Sequence, residues 1–216
     1  MLDSKSFLKN LSTDGIYVSQ PKSQMGGNSN IFRFKYREKD VILKVYKGDE
    51  KRIKLSRERE IQAYKFLREK KFSQLPNYIE EIQVSDGICL EFIKGESPKQ
   101  NWFTNIKIWR GISKLKAIYR EDSRFDTAVD ASFSTSNVLD QIISRYEGLK
   151  IVSKPENDDL EIGMEILKKS KVINFPDSGL TYSFSDIGTH NILKVKYKFI
   201  YLDLEFFGKD SAVKMV

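Results

Sequence analysis

The sequence predicts an α+β chain in two parts: a β-rich N-terminal part with one main helix, then a mostly helical C-terminal part. Three observations predict it. Residues 31–36 and 41–46 alternate apolar and polar side chains around a short charged turn, the pattern of an antiparallel hairpin. Apolar residues then recur every three to four positions in 53–71 and in three segments beyond residue 101. Between these regimes, residues 94–100 hold Gly95 and Pro98 and read as a linker. The expected organisation is therefore 1–93, a link at 94–100, and 101–216.

Each element has its own signal. Phe7, Leu8 and Leu11 share one face of a short N-terminal helix. A strand near 16–20 leads into the turn-rich stretch 21–30, and the hairpin of 31–46 follows. In the helix 53–71, Ile61, Tyr64 and Leu67 lie on one face, and Pro76-Asn77 breaks the pattern. Strands are expected at 78–84 and 88–93, joined at Asp86-Gly87, a strong hairpin signal. Beyond the linker, 102–119 reads as helix, as does 134–149, with Val138, Leu139, Ile142, Ile143 and Tyr146 as a buried stripe. A third helix is expected at 158–170, with Leu160, Met164 and Leu167 in phase. Residues 171–185 read as irregular, and short strands follow at 192–195 and 199–202.

Composition limits the classes of function. A chain of 216 residues with 40% hydrophobic and 12% aromatic residues can bury a core as one domain or two small lobes. No apolar run approaches the roughly 18 residues of a membrane span, and the first residues do not lead into a signal-peptide core. Neither membrane nor nucleic acid is expected as a partner. Cys89 has no cysteine partner, and with a single histidine there is no zinc cluster, so a reducing cytoplasm is the expected compartment. The net charge of +7 is spread along the chain among 30 acids. Basic runs such as 51–54 and 168–171 read as solvated helix faces, and no nucleic-acid motif accompanies them.

The chemistry-bearing residues fall in one order. Gly26-Gly27 lies between the first two strands, where glycines let backbone N–H groups approach a phosphate chain or simply make a turn. No P-loop pattern is present. Lys44 interrupts an apolar strand, either as its outward-facing residue or as a side chain reaching phosphates while paired with a helix carboxylate. Glu58 and Glu60 are the candidate partners. Glu60 is favoured because it shares a face with Tyr64 and Leu67. Residues 90–93 form either a plain core strand or a hinge that holds a purine by backbone groups, the carbonyl of Glu91 and the amide of Ile93. Last come Asp186, Asn191 and, at the end of an apolar strand, Asp203. An Asp can orient or deprotonate an acceptor hydroxyl, while Asn and a second Asp offer the oxygen ligands magnesium prefers.

With these residues in this order, the chain resembles the small-molecule kinases of the aminoglycoside phosphotransferase and choline kinase type, which share a two-lobed protein-kinase-like fold. The resemblance runs from about residue 16 to the C-terminus. It is most specific at 185–191 and 202–208, and Arg59-Glu60 followed by Tyr64 and Leu67 also fits it. It implies a nucleotide-binding lobe at 1–93 with Gly26, Gly27, Lys44, Glu60, Glu91 and Ile93 around the nucleotide. It further implies Asp186 as catalytic base, Asn191 and Asp203 as magnesium ligands, and Mg2+ with ATP or GTP as cofactors. The implied acceptor is a hydroxyl of a sugar, aminoglycoside or amino alcohol. Glu205 matches the second acid of the family's D-x-E, with no role assigned.

Three features depart from the pattern. Phe184 stands where the common form has histidine, and His190 is a loop-shaping residue rather than that histidine. Only thirteen residues follow Asp203, and 209–216 look like the start of a helix cut short. The expectation is an incomplete C-terminal lobe. These departures keep a second reading open, that of a catalytically inert kinase-like module.

Overall fold

The structure is a computed structural model that describes residues 2–14, 29–99, 101–129, 131–152, 165–166, 169, 173–176, 179–184 and 188–211. Its elements in chain order are α1 (Ser4–Thr13), β1 (Ser29–Tyr36), β2 (Lys39–Tyr46), α2 (Glu50–Glu69), β3 (Gly87–Glu91), α3 (Trp102–Glu121), α4 (Thr135–Val152), β4 (Leu180–Ser183), β5 (Ile192–Val195), β6 (Lys198–Tyr201) and β7 (Gly208–Ser211). The chain divides into two compact units, Met1–Lys114 with Asp186–Phe207, and Leu115–Ser185 with Gly208–Val216.

In the first unit, β1, β2 and β3 form an antiparallel sheet with β2 in the centre. Successive strand residues point to opposite faces. Val41, Leu43 and Val45 therefore turn to one side, into a core with Phe34, Ile82, Val84, Cys89 and Leu11 of α1. Lys44 and Tyr46 turn to the other. Burial pushes the Cys89 thiol up to about 12, so it stays protonated and inert at neutral pH. Helix α2 starts at Asp49, whose side chain accepts the Arg52 N–H, and buries Glu60, Ala63, Tyr64, Phe66 and Leu67.

The β5–β6 hairpin belongs to the same unit and is fastened to the loop after α2. The Tyr201 N–H donates to the Gln74 carbonyl at 2.8 Å, and Gln74 Nε2 donates to the Phe199 carbonyl at 3.2 Å. The Tyr201 hydroxyl donates to the Ile108 carbonyl of α3 at 3.0 Å. Gly111 makes that approach possible, because a Cβ there would lie 1.9 Å from the Tyr201 hydroxyl oxygen. Tyr201 is 1% exposed and has nowhere to retreat. Gly111→Ala is expected to destabilise the protein by about 1–2 kcal/mol, overpacking outweighing the gain in helix propensity. Tyr201→Phe in that background should restore part of the melting temperature; equal melting of Gly111→Ala and wild type would refute the account.

In the second unit, β4 pairs antiparallel with β7, and Tyr182 of β4 is fully buried. Its hydroxyl donates to the Asp122 carbonyl and accepts the Phe125 N–H. Asp210 of β7 accepts the Ser132 N–H at 2.8 Å.

Four expectations are corrected. Residues 78–84 do not form a strand; they bridge at Tyr78 and Val84 only, with a turn at Glu80-Glu81. Their alternation serves the core, which takes Ile82 and Val84, rather than a ladder. Residues 171–185, read as irregular, contain β4, and its partner β7 takes up the first residues of 209–216, read as the start of a helix. The stripe on α4 is half-buried, with Ile142 39% exposed. Periodicity selects the inward face of a helix, but depth depends on what packs there. The strand near 16–20, the glycine pair at 26–27 and most of the helix at 158–170 lie outside the described residues.

Candidate active site

The central feature is Lys44. Strand β2 carries it between Ile31 of β1 and Ile88 of β3, on the face opposite the core, and it is 5% exposed. Its Nζ donates to Glu60 Oε2 at 2.7 Å and to Asp203 Oδ1 at 2.8 Å. Glu60 is fully buried on α2, whereas Glu58 is exposed. A lysine taken this far out of water stays charged only if carboxylates repay the lost hydration. Burial pulls the Lys44 pKa down, but Glu60, Asp203 and Glu205 together outweigh it and raise it above the ordinary 10.5.

Both oxygens of Glu60 are occupied. Oε2 takes the Tyr46 hydroxyl at 2.6 Å besides Lys44, and Oε1 takes the Leu204 backbone N–H at 3.2 Å. That last bond ties α2 to the segment carrying Asp203. Asp203 itself has φ +60°, a left-handed conformation that asparagine and aspartate tolerate better than most residues. The bend follows directly on β6, and the anchoring of Tyr201 described above fixes where it starts. Glu205 is 3% exposed.

Asn191 closes a short 3-10 turn, Thr189–Asn191, in which His190 is exposed. Its carbonyl accepts the Leu202 N–H at 2.8 Å. With Ile192 paired to Tyr201, the hairpin sets Asn191 opposite Leu202 and so next to Asp203 in the register. The pair supplies an amide oxygen and a carboxylate, and the Asp203 side chain remains 31% exposed. Hard oxygen donors with an accessible side fit magnesium. Among the described residues no group of three or more His, Cys, Asp or Glu could hold a metal.

Glu91 ends β3 at the sheet edge. Its N–H donates to the Asn77 carbonyl at 2.8 Å, on the side away from β2. A strand residue's N–H and C=O share a side, so the Glu91 carbonyl also faces that edge. Ile93 lies two residues on, outside the strand and half-buried. A cavity of about 480 Å³ opens beside the C-terminal end of α2, lined by Tyr64, Phe72, Pro76, Tyr78 and Glu91 among others, and Lys44, Glu60 and Asp203 are not part of its wall. Asp186, Gly26 and Gly27 lie outside the described residues. Phe184, in the other unit, is buried.

Sequence reasoning missed Tyr46 and the Leu204 N–H. The signal for Tyr46 was present: two residues after Lys44 on one strand means the same face.

No family model matches the chain, and no curated protein matches it by sequence. Solved structures do match its fold. A choline kinase from Cryptosporidium parvum superposes with a TM-score of 0.63 at 18% identity, over 97% of this chain and 66% of that one. An aminoglycoside-3'-phosphotransferase of type VIII gives 0.60 at 14% identity, over 96% and 78%. A thermostable variant of the aminoglycoside phosphotransferase APH(4)-Ia, solved with AMP-PNP and hygromycin B, gives 0.57 at 12%, over 97% and 73%. The chain therefore has the α+β, kinase-like fold of the choline kinases and aminoglycoside phosphotransferases. It spans 66% of the length of that choline kinase.

Proposed function

We propose that the protein transfers the γ-phosphoryl group of ATP, or of GTP, to a hydroxyl of a small molecule in a magnesium-dependent reaction. The observation that carries this reading is the buried Lys44 ammonium held between Glu60 and Asp203 at 2.7 and 2.8 Å. A cation fixed by two carboxylates is preorganised to meet nucleotide phosphates without further reorganisation. Residues 1–93 serve as the nucleotide-binding lobe, with Gly26-Gly27 over the phosphates and the Glu91 carbonyl and Ile93 amide on the purine; 94–100 link it to the remainder. Asn191 and Asp203 would hold the metal, which when bound neutralises charge on the phosphates. Asp186 accepts or orients the acceptor hydroxyl. The acceptor class, a sugar, an aminoglycoside or an amino alcohol, follows from the resemblance; the structural neighbours include one bound to hygromycin B.

The test is thermal stability with ATP or GTP, with and without magnesium. A ligand at about 100 times its Kd stabilises the folded state by roughly 2.7 kcal/mol, enough for a clear shift. A magnesium-dependent shift is the expected result. No shift with either nucleotide would sink the kinase reading and leave an inert module of the same fold.

A further inference from the structure

We propose that Tyr46 is a positioning residue of the phosphate site: its hydroxyl fixes Glu60 so that Lys44 is presented to the nucleotide. The inference rests on the kinase reading of Lys44 and Glu60 given above.

Three observations converge on it. The Tyr46 hydroxyl donates to Glu60 Oε2 at 2.6 Å, the same oxygen that accepts Lys44 Nζ. The Tyr46 ring also faces the other member of the pair, with Lys44 Nζ 5.1 Å from its centroid. Tyr46 is 4% exposed, so its hydroxyl has been taken out of water, which is costly without a partner. Phenylalanine would fill the same volume without that cost. The hydroxyl therefore has one evident use, the carboxylate it touches.

The consequence concerns direction. The terminal torsion of a glutamate is broad, and a carboxylate held by lysine alone can turn with it. Here Leu204 N–H holds Oε1 and Tyr46 holds Oε2, so the plane of the carboxylate is set before any ligand arrives. Lys44 is then drawn to a defined oxygen, which sets where its ammonium meets an incoming phosphate. Burial and the adjacent Glu60 carboxylate both push the phenol well above its usual pKa of 10.0, so it stays a donor across the working range.

The experiment is titration calorimetry of Mg-ADP into the full chain, for wild type, Tyr46→Phe, Glu60→Gln and the double variant. Tyr46→Phe keeps the ring over Lys44 and removes only the hydroxyl. It should weaken Mg-ADP about tenfold, the scale of one hydrogen bond to a charged group. On the Glu60→Gln background the same change should weaken binding less than about twofold, because the two side chains act as one unit. The free Tyr46→Phe protein should melt somewhat lower, the cost of one buried hydrogen bond, and calorimetry at a temperature where both proteins are fully folded separates positioning from support of the fold. An unchanged Kd in Tyr46→Phe, with wild type binding normally, would overturn the inference and leave the kinase reading standing. Additive effects in the double variant would overturn it too. Failure of wild type to bind Mg-ADP would remove both.

Discussion

Asp203→Asn is expected to lose the magnesium-dependent stabilisation by ATP, whereas Asp186→Asn keeps it and loses phosphoryl transfer by about 10²–10⁴. The two acids are assigned different work, and these variants separate it. Asn is the sharper substitution at 203, because φ there is +60° and asparagine tolerates the left-handed region. Alanine would add a backbone cost of about 1–2 kcal/mol and confuse loss of the carboxylate with loss of the bend. In Asp203→Asn the Lys44–Glu60 contact persists, since Glu60 is held independently by Tyr46 and Leu204. The fold should survive and the metal-linked shift should not. Melting curves with ATP, with and without magnesium, read the first claim; the rate of acceptor phosphorylation reads the second. Mg-ATP stabilising Asp203→Asn as it does wild type would remove Asp203 from the metal site. Full transfer by Asp186→Asn would remove Asp186 from the base role.

What was legible in the sequence divides along the range of the interactions. The β1–β2 hairpin was legible because its two strands are adjacent and its turn is short. The choice of Glu60 over Glu58 came from helix periodicity, and it matches burial: Glu60 is inside and Glu58 outside. β4 and β7 were not legible, since their register joins Leu180 to Ser211 and neither strand has a local partner to announce it. Residues 78–84 misled because alternation records which side chains turn inward, not which backbone groups pair. Tyr46 was missed for a related reason. Strand alternation put it on the face of Lys44, but its contact with Glu60, fourteen residues on, is made only in the folded chain.

Lys44→Met should cost about 3–5 kcal/mol of stability, because it leaves Glu60 as a buried carboxylate without its cation. Pairing it with Glu60→Leu should recover part of that loss, the remainder being the buried Tyr46 hydroxyl and Leu204 N–H left without their acceptor. Replacing both members of a buried ion pair with apolar groups is often neutral, while removing one is not. Nucleotide binding should stay lost in the double variant, since no cation is left to meet the phosphates. The pH dependence fixes the sign independently. The folded-state pKa of Lys44 lies above the ordinary 10.5, so the pair contributes fully below about 10.5 and its contribution is lost as pH rises through the folded value. Wild type should therefore lose no stability through Lys44 between about pH 7 and pH 9, measured by denaturant unfolding. A double variant that bound Mg-ATP as wild type does would show that the pair is not needed to meet the phosphates. One that regained stability without binding would mean the chain keeps a costly buried charge for the sake of its ligand.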